Sequence, residues 1–155
     1  MQPQDPNHRV IAQNRKARHE FLIFEELECG IVLAGTEVKS LRAGQCSLAE
    51  AYVQIKKGEM FLVGAHIPEY AHGNAMNHKP VHDRKLLIHR RELEQWHKKV
   101  KEKGVTMVPL EIYFNGSRVK LAVALCKGKK LYDKRQSQRD KDDKREMDRA
   151  QKRRR

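Results

Sequence analysis

The chain has 155 residues, of which 39% are hydrophobic, enough for one compact core plus some unpacked sequence but not for two independent domains. Its 33 lysines and arginines outnumber 20 acidic residues, so the formal net charge is +13 and a polyanionic partner is expected. No stretch approaches the roughly 20 apolar residues of a membrane-spanning helix, and the polar start, Met1 to Asn7, is unlike a secretion signal. We therefore expect a cytoplasmic protein with no membrane contact.

The three cysteines are odd in number, far apart and flanked by apolar, strand-like residues. This spacing favours neither a disulfide framework nor a zinc or redox motif. We therefore interpret Cys29, Cys46 and Cys126 as buried, reduced thiols.

The N-terminal part is predicted to be a flexible segment, residues 1 to 12, followed by the basic run Asn14 to His19. Because that run leads directly into a strand, its basic side chains would project toward phosphates from a fixed edge. The alternative is that the run is only a solvated stretch of charged residues. Phe21 to Phe24 and Ile31 to Leu33 read as β segments interrupted at Gly30.

A short helix is predicted from the possible cap Thr36 to Gly44, with Val38 and Leu41 turned inward. On its polar side, Glu37 would repel phosphate, so it is expected to accept hydrogen bonds from base amino groups or to orient a neighbouring arginine. Favourable placement at a helix N-terminus is an equally open reading of Glu37. The basic residues of this side are Lys39 and Arg42.

Two hairpins are predicted downstream. Tyr52 to Ile55 pairs with Met60 to Val63 across a Lys57-Gly58 turn. The second hairpin alternates apolar residues on both sides of Asn115-Gly116, a dipeptide that favours a type I′ turn. Its alternating residues are Val108, Leu110, Ile112 and Phe114 before the turn, and Val119, Leu121, Val123 and Leu125 after it.

A longer helix is predicted from Arg84 or Arg90 to Lys103, ending before Gly104. Its apolar stripe comprises Leu86, Leu93, Trp96 and Val100. Several strands with two or three helices predict a mainly β fold. We expect a small antiparallel barrel of the oligonucleotide-binding (OB) type, formed by residues 13 to 130.

The C-terminal part is more strongly basic than the rest of the chain. Residues 127 to 155 carry 14 basic and 6 acidic side chains, a net charge of +8. Few of them are apolar, so burial cannot offset the chain entropy lost on ordering. Residues 131 to 155 are therefore predicted to be a basic tail that is disordered when free and helical when bound. The opposite charges at helical spacing are Arg139 with Asp143 and Asp148 with Lys152.

The sequence has no recognisable catalytic constellation. Four histidines cluster, but Pro80 disfavours a helix between His78 and His82, and no cysteine or carboxylate completes a metal set. The serines lack a nucleophile elbow, and no glycine loop for phosphates is present. We expect neither enzymatic activity nor a cofactor or metal, and interpret His66, His72, His78 and His82 as polar loop residues near a phosphate surface.

Six runs in this chain resemble motifs of the SmpB family, the SsrA-binding proteins, in the family's order. They are Asn14 to His19, Gly30 to Gly44, Gly73-Asn74, Asn77-His78, Arg84 to Leu87 and Lys127 to Arg135. The resemblance extends from Gln13 to the C-terminus. This chain departs from the family at His82, where arginine is frequent, and at Lys79, where an acidic residue is frequent.

The resemblance implies a non-catalytic factor of trans-translation that binds the tRNA-like domain of transfer-messenger RNA (tmRNA, or SsrA RNA) and rescues stalled ribosomes. It implies partners beyond tmRNA: the ribosome with its small-subunit rRNA, and elongation factor Tu through the shared aminoacylated RNA. The residues that it implies for tmRNA binding are Asn14, Arg15, Lys16, Arg18, Glu37, Lys39, Arg42, Gly73, Asn74, Arg84, Lys85, Lys127, Lys129 and Lys130. Those that it implies for the decoding centre, ahead of a tail in the empty mRNA channel, are Tyr132, Asp133, Lys134 and Arg135.

A general RNA- or single-stranded-DNA-binding protein of the OB type is the chief alternative, because a basic barrel can also bind by stacking and counterion release. Aromatic residues make up 6% of the chain, and most occupy alternating core positions instead of an exposed stacking platform. An RNA-processing enzyme would need a carboxylate or histidine constellation that the sequence does not present.

Overall fold

The computed structural model describes residues 7–73 and 76–153, with side chains except at 130–138, 140, 152 and 153. Within these residues the chain forms seven strands and four helices. In chain order they are β1 (His8–Gln13), α1 (Arg15–Glu20), β2 (Phe21–Ile31), α2 (Gly35–Arg42), β3 (Tyr52–Lys56), β4 (Glu59–Val63), β5 (Arg84–Leu87), α3 (Arg90–Val100), β6 (Val105–Asn115), β7 (Arg118–Gly128) and α4 (Lys129–Arg153).

The strands form one antiparallel sheet in the order β1-β6-β3-β4-β5-β2-β7, and β6 also pairs with β7. The pairings therefore run from β6 through β3, β4, β5, β2 and β7 and return to β6. The predicted mainly β, antiparallel fold is confirmed, and the assignment to an OB-type barrel stays a prediction.

Both predicted hairpins are present, but the second turn differs from the prediction. Asn115 pairs with Arg118, which leaves Gly116 and Ser117 as the two loop residues. Gly116 has φ 63°, whereas Ser117 is not among the described residues with positive φ. A positive φ at the first loop residue alone is typical of a type II′ turn, so the type I′ assignment is wrong.

Strand β1 and helix α1 are not predicted by the sequence patterns. Residues His8–Gln13 pair with β6, although a register shift between Val10 and Ala12 hides their alternation. The rest of the predicted flexible segment, residues 1–6, lies outside the described residues, and its flexibility stays a prediction. Helix α1 follows directly, and its Ala17 is buried. Ala17 packs on the outer face of β6 and β7 in a small second core with Val108, Leu110, Ala124 and Cys126.

Gly30 does not interrupt β2. It pairs with Lys120 of β7 on one side and with Leu87 of β5 on the other, so the strand is continuous where the sequence predicts a break. A Cβ atom at Gly30 would lie 3.3 Å from the Leu87 Cβ atom, which is a tight approach. Glycine here accommodates a close neighbour within a strand.

The long helix begins at Arg90, because Arg84–Leu87 is strand β5 between β4 and β2. Trp96 of α3 is buried, and Leu93 and Val100 pack against the main core as predicted. Leu86 also contributes to this core, but from β5.

Helix α4 lies where the spacing of opposite charges predicts a helix. The described side chains from Lys141 to Gln151 are exposed, including the single large apolar one, Met147, which is 69% exposed. Its disorder in the free protein and its formation on ribosome binding stay predictions. Among the described residues no helix is both long and apolar enough to cross a membrane.

All three cysteines are free thiols in the structure, with Cys29 and Cys126 buried and Cys46 partly so. Burial raises the pKa of Cys29 to about 12 and the pKa values of Cys46 and Cys126 to about 11. Since the thiolate is the reacting form, we expect iodoacetamide at about pH 8 to alkylate Cys46 and Cys126 roughly 100-fold, and Cys29 roughly 1000-fold, more slowly in the native protein than in denaturant. Mass spectrometry of timed samples measures this, and equal rates in the two states would contradict it.

Candidate nucleic-acid interface

Four polar or charged side chains are buried among the described residues, and all four lie between α2 and the segment from residue 65 to residue 84. Buried polar groups must be hydrogen-bonded to avoid a desolvation cost. No buried side-chain nitrogen or oxygen in the described part of the chain lacks a partner. We call this set, Glu37, Ser40, His78 and Arg84, the buried network.

Glu37 is the centre of the buried network and is 1% exposed. One carboxylate oxygen accepts from the backbone N–H of Ala34 at 2.8 Å, and the other accepts from Arg84 Nε at 2.9 Å and His82 Nε2 at 2.5 Å. Burial alone would raise the pKa of Glu37, but these hydrogen bonds and the Arg84 charge lower it below its ordinary value. The carboxylate is therefore held ionised beneath α2.

Arg84 is the second charge of the buried network. Strand β5 alternates buried and exposed residues, which places Arg84 on the inner face. Its guanidinium donates to Glu37, to the Ala65 carbonyl at 2.9 Å and to the Pro80 carbonyl at 3.0 Å. Both side chains are enclosed and hydrogen-bonded inside the protein, and the RNA contacts predicted for Glu37 and Arg84 stay predictions. Within the protein Glu37 orients an arginine, and it also accepts from the N–H of Ala34 at the N-terminus of α2, which fits the helix N-terminus reading.

Two further bonds attach α2 to the segment that follows β4. Ser40 Oγ donates to the Pro68 carbonyl at 2.7 Å. His78 Nε2 donates to the Ile67 carbonyl at 2.8 Å, and its Nδ1 lies 2.8 Å from Thr36 Oγ1. Thr36 therefore lies inside α2 and bonds His78, whereas the sequence predicts it as the possible cap. The N-cap of α2 is Ala34.

Side-chain hydrogen bonds join the described parts of the loop after β4, residues 68–73 and 76–79. Asn77 Nδ2 donates to the Tyr70 carbonyl at 2.8 Å, and Asn77 Oδ1 accepts from the Tyr70 N–H at 3.2 Å. A Cβ atom at Gly73 would lie 2.6 Å from Asn77 Nδ2, so a larger residue here would displace the Asn77 amide from its bonds to Tyr70. The predicted site residue Asn74 lies outside the described residues.

Helix α2 also carries exposed basic residues, Lys39 and Arg42, beside its buried Glu37 and Ser40. Lys39 of α2 lies 5.5 Å from the ring centre of Tyr70, which contacts the His72 ring edge-on at 5.6 Å. Arg42 is exposed, and its carbonyl accepts from the Arg9 guanidinium of β1 at 3.3 Å. We call this surface, formed by Arg9, Lys39, Arg42, Tyr70 and His72, the α2 face.

The predicted run from Asn14 to Arg18 divides into structural and exposed residues. Asn14 Nδ2 donates to the Pro109 carbonyl at 3.1 Å and thereby attaches the start of α1 to β6. Arg18 is exposed but pairs with Glu26 at 3.4 Å. Arg15 and Lys16 are exposed and form no ion pair within the described part of the chain, so they are the cations available to a phosphate.

The remaining predicted residues lie on other elements. Lys85 is exposed on β5 and pairs with Glu59 at 3.1 Å. Lys127 pairs with Glu102 at 3.2 Å and also lies 5.7 Å from the ring centre of the exposed Phe24. Lys129 begins α4. The side chains of Lys130, Tyr132, Asp133, Lys134 and Arg135 lie outside the described residues, although their backbone belongs to α4.

A second polar cluster, which the sequence patterns do not predict, lies on β1, β2, β6 and β7. The Tyr113 hydroxyl donates to Glu28, which also pairs with Lys120 at 4.0 Å, and the His8 ring stacks on Tyr113 with ring centres 4.2 Å apart. Burial and the Glu28 carboxylate raise the pKa of Tyr113 well above its ordinary value. The second hairpin pairs Tyr113 with Lys120. Its register, which the turn position in the sequence indicates, could therefore have predicted that these two side chains are neighbours.

Comparison with known proteins identifies the family. The model of the SmpB protein family matches residues 11–153. An SsrA-binding protein of Kineococcus radiotolerans is 51% identical, covering 96% of this chain and 95% of the relative, and one of Acetivibrio thermocellus is 52% identical, covering 91% and 92%.

A solved structure described as "tmRNA-SmpB: a journey to the center of the bacterial ribosome" contains a similar chain. It is 43% identical, with a TM-score of 0.64, over 76% of this chain and 82% of that chain. Family model, relatives and fold agree, and they agree with the motifs found in the sequence: the chain belongs to the SmpB family.

Proposed function

We propose that this protein binds tmRNA and brings it to stalled ribosomes, as a factor of trans-translation. Its relatives are named SsrA-binding proteins, and the similar solved chain belongs to a tmRNA–SmpB structure on the bacterial ribosome. The role is RNA recognition without catalysis, and it would operate in the cytoplasm. Elongation factor Tu, through the shared aminoacylated RNA, is a further proposed partner.

The observation that carries this proposal is a cationic surface fixed by a buried network. Charge-driven RNA binding gains free energy by releasing counterions from phosphates, and a rigid surface makes those contacts without losing side-chain and loop entropy first. The bonds from Glu37, Ser40 and Thr36 hold α2 to the segment from residue 65 to residue 84. We infer that the α2 face, together with Arg15 and Lys16, binds RNA phosphates.

We assign RNA recognition to residues 13 to 130 and ribosome contact to residues 131 to 155. The tail would lie in the decoding centre and the empty mRNA channel. Exposed charges of both signs along α4, with a net positive charge, suit a channel walled by RNA.

Charge reversal tests the assignment of the RNA surface. We expect Arg15→Glu with Lys16→Glu, and separately Lys39→Glu with Arg42→Glu, to weaken binding of the tmRNA tRNA-like domain by about tenfold or more at physiological salt. The slope of log affinity against log salt should fall by about 1 for each lost phosphate contact. Binding titrations with a labelled transcript at several salt concentrations measure both quantities.

Lys98→Glu on α3 with Lys101→Glu just after that helix is the matched control, because it changes the net charge equally at exposed positions outside the α2 face. An equal loss in this control would favour the alternative of a general basic RNA-binding protein. Unchanged tmRNA binding in the two test variants, with loss of peptide tagging on stalled ribosomes, would assign the α2 face to ribosomal RNA instead.

A further inference from the structure

His82 lies where the buried network reaches solvent, with its side chain 39% exposed. Both of its ring nitrogens face oxygen atoms. Nε2 lies 2.5 Å from Glu37 Oε1, and Nδ1 lies 3.0 Å from the backbone carbonyl oxygen of Asp83.

Both oxygens can only accept hydrogen bonds. A backbone carbonyl has no proton to donate, and the Glu37 carboxylate is ionised because it already accepts from Ala34 and Arg84. A neutral imidazole has one N–H and one lone pair, so in either tautomer one nitrogen would present a lone pair to an oxygen. Only the doubly protonated imidazolium satisfies both contacts.

His78 provides an internal contrast. Its Nε2 also faces a carbonyl, that of Ile67, but its Nδ1 faces the Thr36 hydroxyl, which can donate. A neutral ring therefore satisfies both contacts of His78. The two histidines of one network differ in the protonation that their partners require.

We propose that His82 is held as an imidazolium at the edge of the α2 face, where it positions the segment from Pro80 to Arg84 against α2 and makes RNA binding stronger at lower pH. The RNA part of this proposal rests on the function proposed above. His82 is a positioning residue that acts through Glu37 and also adds a partly exposed positive charge.

The charged groups around His82 support this role. Glu37 faces it from α2, and Arg84 follows it on β5 and donates to the His82 carbonyl at 3.4 Å. The neighbouring Asp83 carboxylate is paired with Lys56 of β3 at 3.3 Å, which directs that negative charge to another partner. With His82 charged, Glu37, Arg84 and His82 carry a net charge of +1; when the proton is lost, that charge and one of the two ring hydrogen bonds are lost together.

Protonation can be measured without RNA. In 15N-labelled protein at about pH 7, we expect NMR to find protons on both ring nitrogens of His82 and on only one ring nitrogen of His78. Glu37→Gln should remove the second proton from His82. A singly protonated His82 ring in the folded parent protein would overturn the proposal whatever the outcome of any RNA experiment.

The effect on binding is measured with a transcript of the tmRNA tRNA-like domain between about pH 6 and about pH 8. We expect the affinity of the parent protein to fall by about fivefold more than that of His82→Arg, whose guanidinium stays charged throughout. His97→Arg, an exposed histidine on α3, is the control and should keep the full pH dependence.

Identical pH profiles for the parent and His82→Arg would refute a contribution of His82 to RNA binding. Absence of RNA binding by every variant at all pH values would instead refute the proposed function, and the NMR result would still decide the protonation of His82.

Discussion

Glu37→Gln should lower the free energy of unfolding by about 3 kcal/mol near neutral pH, because it leaves the Arg84 charge buried without its counter-charge. For a chain of this size that corresponds to a melting temperature lower by roughly 10 °C. Urea unfolding followed by circular dichroism measures the change. The predicted effect is on folding first, since Glu37 lies beneath the surface and is 1% exposed.

The destabilisation should depend on pH in one direction. The pKa of Glu37 is lower in the folded protein than its ordinary value of 4.5, so its ionised form stabilises the fold fully above about pH 4.5 and this contribution is lost as pH falls through the folded-state pKa. Glutamine does not titrate. The difference in stability between the parent and Glu37→Gln should therefore shrink as the solution becomes more acidic than about pH 5.

Glu59→Gln is the matched control, because it removes the same kind of charge from the half-exposed pair with Lys85. It should cost less than about 1 kcal/mol, as exposed ion pairs do. Equal effects of the two substitutions would show that the Glu37–Arg84 pair does not organise the fold. A difference for Glu37→Gln that grows toward acidic pH would contradict the lowered pKa.

Replacing Asp133, Lys134 and Arg135 together with alanine should abolish peptide tagging on stalled ribosomes while leaving binding of the tmRNA tRNA-like domain within about twofold of the parent's. RNA recognition is assigned to the folded part of the chain, and the tail contacts are proposed to be made in the decoding centre through directed hydrogen bonds and charge. A reconstituted translation reaction on a message without a stop codon measures tagging, and titration measures binding.

A variant with residues 136 to 155 scrambled at equal composition separates charge from pattern. It retains the net charge of the tail but disrupts the spacing of opposite charges that supports α4. We expect it to bind the RNA normally and to fail in tagging. Full tagging by the scrambled variant would show that any polycation suffices. The proposal that the tail makes specific contacts in the empty mRNA channel would then be abandoned.

The sequence predicted the elements whose signals are local. The alternation on both sides of Asn115-Gly116 predicted β6 and β7, and the stripe from Leu93 through Trp96 to Val100 predicted α3. These patterns can be recognised because each element buries one face. The spacing of the apolar residues along the sequence indicates which face is buried. The family motifs, which extend along most of the chain, predicted the membership that the comparisons establish.

Only the tertiary structure decided which charged residues face outward. Glu37 and Arg84 stand 47 positions apart and look like surface residues in a basic protein, yet the meeting of α2 with β5 encloses them as an ion pair. Nothing in the local sequence reports such a contact, because charge is typical of exposed residues unless a distant partner compensates its burial. For the same reason β1, which is stabilised by pairing with β6 a hundred residues later, and the two acceptors around His82 became visible only when the chain was folded.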